Sequence, residues 1–375
     1  MKVMYICAKH PPYDGRIYYK ISQVIQKCGH DVINLTPNTK DCLSSNGIRL
    51  VGFLQKQGIK ERIKSLVSLY VTAKKQNADV LIAPEPDSLV IAYLIKCVQK
   101  ETKVIFDCHE AYDLYFCGKF RFRWLERLLN SIVAFSMNFV SKRIEAVISV
   151  NDTMTQYFAR VNPHSYCIPS LVDSDYRPNM EKIREGFIFF GQFGANKQET
   201  ILLDAARELK NRGCSSKIIV VGGYNGSGFD KARKLFAQAI IDGGVENHLE
   251  YIQWLPREQA FEFLSSGIAG IMRFDSALFI DRPALPNKIW EYMASGMAII
   301  ADRKNRELQK IITEEKCGIL VEDTGEALAN AIIYLVEHKE EAKKMGENAY
   351  NSVQTTYNWE HYSALLDDIL HIKNK

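Results

Sequence analysis

The stretch LPNKIWEYMASG, residues 285–296, holds a helix entrance, one acid and a stop. Pro286 and Asn287 suit the entrance, Lys288 sits at the mouth, and Glu291 lies about one turn inside. Gly296 suits the left-handed residue just past the end. One reading makes Glu291 an ordinary first-turn acid that complements the helix dipole. The sharper one has the mouth hold a phosphate while the carboxylate holds a sugar hydroxyl. DCHEAYD (107–113) sets Asp107, His109 and Glu110 at the end of an apolar run. There His109 either bonds a phosphate or sugar oxygen, or orients a reacting group, or caps the following helix. GGYNGSG (222–228), which begins at Gly222, lies between a strand and a helix, where backbone N–H groups can approach a phosphate. It lacks the G-x-G-x-x-G spacing, so a flexible turn is the better reading. DSD (173–175) imitates a D-x-D metal motif but falls at a joint, where capping or solvated linker is the better reading. No metal site is expected.

GKFRFRWLERLL (118–129) interleaves Lys119, Arg121, Arg123 and Arg127 with large apolar side chains. Three readings stay open for it: single-stranded nucleic acid, an anionic bilayer surface, or an ordinary surface helix.

These residues need a frame. Short, nearly continuous apolar runs alternate with amphipathic helical patterns. KVMYICA, HDVINLT, IRLVGF, DVLIA, KVIFD and AVISV are the runs of the first half, with helices expected over 16–28, 59–76, 87–99 and 119–142. The alternation restarts with EGFIFFG, KIIVVGG, LEYIQW, IAGIMRF, MAIIADR and CGILVE, with helices over 197–212, 229–242 and 257–265. The final ~45 residues read as helical. Buried strands between helices predict parallel sheets covered on both faces. The fold class is α/β, with two Rossmann-like domains, and ligands belong at the C-terminal ends of the strands. The long connection 273–288 is of the length that usually carries function.

At 375 residues, with 47% apolar and 25% charged side chains, the chain is an ordinary globular protein of two or three domains. The N-terminus reads as a strand and not as a signal peptide. No apolar run reaches the ~18 residues of a membrane span; the longest, 124–140, is interrupted by Glu126 and Arg127. Nine cysteines without a C-x-x-C pair point to free thiols in a reducing cytosol. The net charge of +4 is uneven: residues 1–175 hold the positive excess and residues 176–375 are mildly acidic. The first half therefore suits something anionic.

Taken in order, the motifs resemble glycosyltransferase family 4, retaining enzymes of the GT-B fold. PPYDGRIYYKISQVIQKCGHDV is similar to the family's first loop and helix, and APEPDSLVIA, VIFDCHEAYD, VISVNDTM and IPSLVD to later parts of its first domain. FFGQFGANKQETILLDAA resembles the opening of its second domain, and YNWEHYSALLDDIL its C-terminal helix. LPNKIWEYMASGMAII carries the clearest likeness. The resemblance implies two Rossmann-like domains facing across a cleft. It implies an acceptor-binding domain over 1–175, a nucleotide-sugar-binding domain over 176–355, and a helix over 356–375 packing back on the first. It implies that Glu291 accepts hydrogen bonds from the donor ribose, and that His109, Lys197 and Glu291 form the catalytic set. Donor contacts are expected from Gly15, Arg16, Gly191, Gln192, Lys197, Gly222, Pro286, Asn287, Lys288 and Glu291. The acceptor side would hold His10, Glu85, Asp107 and Glu110.

Two departures matter. The family's Glu-x7-Glu motif has its first acid where this chain has Pro283, with Asp281 two residues away. Gln192 stands where many relatives carry Arg, which leaves Lys197, Lys288 and Arg16 to meet the diphosphate charge. The implied activity is transfer from a nucleotide-diphosphate sugar (UDP-sugar first, GDP-sugar next) to a glycan or lipid-linked acceptor, with retention of configuration, in surface polysaccharide or glycoconjugate synthesis. The donor is a substrate, so no cofactor is expected, and no nucleic-acid partner. A cytoplasmic enzyme, peripheral on the inner membrane face through residues 118–129, is expected. A catalytically inactive subunit of the same fold and a sugar-nucleotide epimerase are the alternatives.

Overall fold

The computed structural model describes residues 1–56, 58–117, 120, 122–172, 176, 178, 184–193, 198–224, 227–272 and 285–373. They form two compact units: Met1–Asp173 with Trp359–Lys375, and Ser174–Asn358. Both are Rossmann-like α/β arrays.

The first unit runs β1 (Lys2–Ile6), a helical segment Ile17–Ser22 continuing into α1 (Gln23–Lys27), β2 (Asp31–Pro37), β3 (Cys42–Leu43), β4 (Arg49–Phe53) and α2 (Ile59–Gln76). It continues through β5 (Val80–Ala83), α3 (Pro86–Val98), β6 (Lys103–Cys108), α4 (Arg123–Ser141), β7 (Ala146–Ser149), α5 (Asp152–Ala159) and β8 (Ser165–Cys167). The sheet order is β3-β4-β2-β1-β5-β6-β7-β8, parallel except for the β3 edge. Val3, Met4, Tyr5 and Ile6 are wholly buried, as a strand covered on both faces requires. One core beneath α2, α3 and α4 joins Leu69, Leu89, Ile95, Met137 and Val140 to the strands.

The second unit runs β9 (Phe187–Gln192), α6 (Gln198–Asn211), β10 (Ile218–Gly223), α7 (Asp230–Asp242), β11 (Leu249–Ile252), α8 (Arg257–Leu264) and β12 (Ala269–Ile271). It then runs α9 (Lys288–Ala294), β13 (Ala298–Asp302), α10 (Arg306–Glu315), β14 (Gly318–Val321), α11 (Gly325–Glu337) and α12 (Lys339–Thr355). Its sheet, β11-β10-β9-β12-β13-β14, is parallel throughout. The last helix, α13 (Trp359–His371), belongs to the first unit. Trp359 Nε1 donates to the Val172 carbonyl at 2.9 Å, and His30 Nε2 lies 2.7 Å from Asp367 Oδ1.

Each sheet reverses strand order once, between β1 and β5 in the first unit and between β9 and β12 in the second. In open α/β sheets a ligand crevice opens at such a point, beyond the strand ends.

The regular helix expected over 16–28 is two segments. Asp14 Oδ1 accepts from the N–H groups of Arg16 and Ile17, and the Ile21 N–H reaches back five residues to the Arg16 carbonyl. That widened turn aims Arg16 inward. The sequence pattern also passed over β3, α5, β8 and α10. The two strands are two and three residues long, too short to display a period.

Gly296 has φ +66°, as the stop after α9 requires. Gly346 of α12 lies against its carbonyl, where a Cβ would collide with the backbone oxygen. Alanine at a helix interior ordinarily stabilises by about 1 kcal/mol. Here Gly346→Ala is expected to destabilise by about 1–3 kcal/mol through overpacking. Urea unfolding followed by circular dichroism checks the sign; a gain in stability would contradict this packing.

Candidate functional site

In the first unit, charge gathers at the reversal between β1 and β5. Glu85 caps α3 and is 1% exposed. Its carboxylate accepts from Ala8 N at 3.0 Å, Lys9 N at 2.9 Å and Ser88 Oγ at 2.8 Å. One acid thus joins the loop after β1 to the helix after β5. His10, on that loop, has Nδ1 3.0 Å from Asp14 Oδ2 and Nε2 3.7 Å from Glu85 Oε1.

Arg16 is buried and engaged through four of its five N–H groups. Nε and Nη2 grip Asp107, the latter at 2.7 Å from Oδ1, while Nη1 donates to the Ile168 carbonyl and Ser170 Oγ, both at 3.0 Å. Asp107 is wholly buried and also accepts from Tyr5 OH at 3.1 Å. Three expectations change accordingly. Arg16 is not a free cation for a donor phosphate, because it is buried and its charge is paired with Asp107 inside the unit. Asp107 and Glu85 are not open to an acceptor, because each is buried and bonded. All three tie the chain after β1 to its neighbours in the unit. Glu110 and Gly15 are exposed beside them.

His109 is half-buried with its ring 5.0 Å from that of His10. Its Nδ1 lies 3.1 Å from the Asp107 carbonyl, which can only accept, so Nδ1 carries the proton. Burial, with the Arg16 and His10 charges, outweighs Asp107 and holds its pKa below the ordinary value. His109 therefore presents a neutral ring whose Nε2 accepts a hydrogen bond, which suits a hydroxyl better than a phosphate. His10 is the opposite case. Burial disfavours its cation, but the Asp14 hydrogen bond and the Glu85 charge raise its pKa. Burial likewise opposes the Asp14 anion, but the bond from His10 and the backbone N–H of Ile17 lower its pKa to about 2. A cleft of about 390 Å³, lined by Lys9, Lys56, Arg62 and Asp87, opens beside this loop. The motif reading passed over it, because its walls come from the loop after β1, the end of β4, α2 and α3.

In the second unit, Tyr292 of α9 spans the reversal. Its hydroxyl accepts from Phe190 N at 2.8 Å and lies 3.3 Å from the Ile271 carbonyl. That fixes α9 against the ends of β9 and β12. Lys288 Nζ sits 4.2 Å from the centre of the Phe190 ring and 2.9 Å from Glu291 Oε2. Glu291 is only 9% exposed, and Lys288 is the partner of its Oε2. Gly191 (φ +136°) and Gly222 (φ +101°) bring β9 and β10 together, where a Cβ on Gly222 would press on the Gly191 carbonyl. Gln192 is exposed at the end of β9, and Pro286 and Asn287 precede α9. The unit thus gathers Gly191, Gln192, Lys288 and Glu291 at one end of the sheet. Lys197, Pro283, Asp281 and the Asp173–Asp175 pair lie outside the described residues. Among the described residues no cluster of metal-ligating side chains is present. Tyr292 and Phe190 escaped the motif reading because their partners are set by strand order.

Each of the two α/β units gathers polar groups at its chain reversal, the place where open α/β sheets bind ligands. Residues 15–176 match the family model described as Glycosyltransferase Family 4, and residues 177–352 that described as Glycosyl transferases group 1. The chain is therefore a glycosyltransferase with the GT-B fold, built of these two family domains. No curated protein matches it in sequence. Among solved structures, sucrose-phosphate synthase from Thermosynechococcus elongatus is similar at TM-score 0.78 and 15% identity, over 99% of this chain and 98% of that one. HepE from Anabaena is similar in its complex with UDP (TM-score 0.75, 15% identity, 99% and 100% covered). It is also similar in its complex with UDP-glucose (0.72, 14%, 99% of each).

The two histidines are expected to titrate apart, His10 above and His109 below the ordinary value, in NMR titrations. Because His10 is raised in the fold, its share of stability is full below 6.5 and fades as pH rises through the folded value. Because Asp14 is lowered, its share is full above 3.8 and fades as pH falls toward about 2. Asp14→Asn should therefore cost most stability between these ordinary values. A pH-independent loss in urea unfolding would dismiss the pair.

Proposed function

We propose that the chain transfers a sugar from a nucleoside diphosphate donor, UDP-sugar before GDP-sugar, to a hydroxyl of a glycan or lipid-linked acceptor, with retention of configuration. The carrying observation is Glu291: a nearly buried carboxylate whose Oε2 is met by Lys288 Nζ at 2.9 Å, on the helix that closes the reversal of the second unit. Such an acid is suited to paired ribose hydroxyls, since hydrogen bonds to charged acceptors are the stronger kind. Lys288 beside it, with Lys197, meets the diphosphate charge. The binding of UDP by HepE, a protein of the same fold, supports the choice of base.

The sugar C1–oxygen bond to the diphosphate breaks as the acceptor oxygen bonds to C1 on the same face. The acceptor proton passes to the departing diphosphate oxygen. The protein supplies position and charge stabilisation. Neutral His109 accepts from a sugar hydroxyl through Nε2, and His10 and Glu110 lie on the acceptor side. Metal ions are not required in this reading. The work would serve surface polysaccharide or glycoconjugate synthesis at the cytoplasmic side of a membrane. An inactive binding subunit would account for Pro283 and Gln192, but an acid and a lysine kept together at the mouth of α9 favour transfer.

Glu291→Ala is expected to weaken UDP binding about tenfold or more, from the roughly 1.5–3 kcal/mol of charged hydrogen bonds, with the melting temperature nearly unchanged. Unaltered affinity in calorimetry would return Glu291 to its ion pair with Lys288. Release of UDP from a UDP-sugar should persist in excess EDTA. Loss of activity there, restored by Mg²⁺ or Mn²⁺, would revive the D-x-D reading of Asp173–Asp175.

A further inference from the structure

The helices that cover one face of the first sheet are amphipathic in an unusual sense: their outward faces are apolar as well. On α2, Ile63, Val67 and Val71 are exposed at successive turns, while Leu69 and Ala73 enter the core. On α3, Val90, Leu94 and Val98 repeat the spacing. On α4, Trp124, Leu128, Ile132, Phe135 and Phe139 do so over the whole helix, with Trp124 64% and Phe135 70% exposed. α3 packs against both α2 and α4, and all three send their inner faces into the same core. The outward stripes therefore lie side by side as one surface. Exposed apolar surface on this scale marks an interaction site.

Charge selects the partner. The three helices carry only three acidic residues, and each is engaged: Glu61 by Lys64, Asp87 by Lys9 and Arg62, and Glu126 by the Phe120 N–H. The exposed charges beside the stripes are mostly basic, with Glu101 past the end of α3 the exception. Lys64 and Lys75 flank that of α2, Arg123 and Arg127 that of α4, and Lys142 and Arg143 close its end. We infer that this three-helix face is a docking surface for an anionic lipid bilayer, with the apolar stripes entering the headgroup boundary and the basic rim meeting lipid phosphates. The same rim opposes a second copy, because a two-fold interface would set basic residues against their like. Among the described residues no helix is long and apolar enough to cross a membrane, so attachment here is peripheral. The first turns of α2 and α3, which supply Arg62 and Asp87 to the 390 Å³ cleft, adjoin this face. Docking would bring that cleft to the bilayer surface, where a lipid-linked hydroxyl is presented.

Of the basic-aromatic segment 118–129, Phe120 and residues 122–129 are part of a larger surface; Gly118, Lys119 and Arg121 lie outside the described residues. Exposed Phe120 and Phe122 continue the α4 stripe toward its start.

The test is co-sedimentation of the full chain with vesicles of phosphatidylcholine alone and of phosphatidylcholine with phosphatidylglycerol, at low and high salt. Binding only to the anionic vesicles, weakened by salt, is expected. Trp124→Ser with Phe135→Ser should lower it about tenfold or more, since each removes a large side chain from the lipid boundary. If that variant misfolds, Arg123→Glu with Arg127→Glu, on exposed positions, should give the same loss. Negligible binding to both vesicle types would overturn the inference. So would a concentration-dependent dimer that the same substitutions break, which would assign the face to a second copy. Sedimentation needs no donor, and UDP affinity, read through Glu291, tests the transfer reading separately.

Discussion

The loop after β1 in the first unit depends on the buried ion pair of Arg16 and Asp107. Arg16 and Asp107 stand 91 residues apart and join the loop after β1 to the end of β6. Two charges removed from water hold only if each is paired and its remaining hydrogen-bonding capacity is met. Here most of it is: the guanidinium also reaches Ile168 and Ser170, and the carboxylate also takes Tyr5. Removing either partner would leave the other charged and buried, which costs roughly 3–5 kcal/mol. The pair also sets chemistry it does not itself perform. Next to it in the chain, the Asp107 carbonyl holds His109 Nδ1, which fixes the tautomer. The widened turn that carries Arg16 inward begins at Asp14, which in turn holds His10.

The second unit uses a lighter device for the same task. A neutral phenol, Tyr292, bridges the backbones on either side of the chain reversal and seats α9 there. That leaves the charged members of α9, Lys288 and Glu291, at the rim, half-exposed and nearly buried respectively. The division is physically sensible. The first unit places its charges in the interior, where they organise a loop. The second keeps a half-exposed lysine beside a nearly buried acid, where a charged ligand can exchange with their mutual ion pair. A cation on the face of Phe190 and beside a carboxylate is positioned without being deeply desolvated.

The two histidines show how neighbours decide what one residue type can do. His10 faces two carboxylates and is drawn toward the cation. His109, a ring's width away, faces Arg16 and His10 from a more buried position and is drawn toward the neutral form. A neutral acceptor and a favoured cation side by side can address a hydroxyl and an anion at once. The basic face of α2–α4 has the same sign preference on a larger scale, and it lies on the unit that holds the positive excess of the chain.

The sequence by itself determined the α/β class, most strands and the helices from about 59 to 76 and over the last 45 residues. Hydrophobic period is a local property, and these elements are long enough to display it. It also determined the place of α9, because the cap, acid and Gly296 stop are neighbours in the chain. What it did not determine was which charged residues face ligand and which face each other. Arg16, Asp107 and Glu85 have the residue types of a binding site. Only strand order, which sets β1 beside β5 and β5 beside β6, turns them inward and spends their hydrogen bonds. Tyr292 and Phe190 became visible for the same reason. The α2–α4 face was half legible, since the aromatic and basic run before and into α4 stands out. That Val67 and Leu94 extend it is decided by helix packing, because a stripe at helical spacing reads as core until the tertiary structure leaves it uncovered.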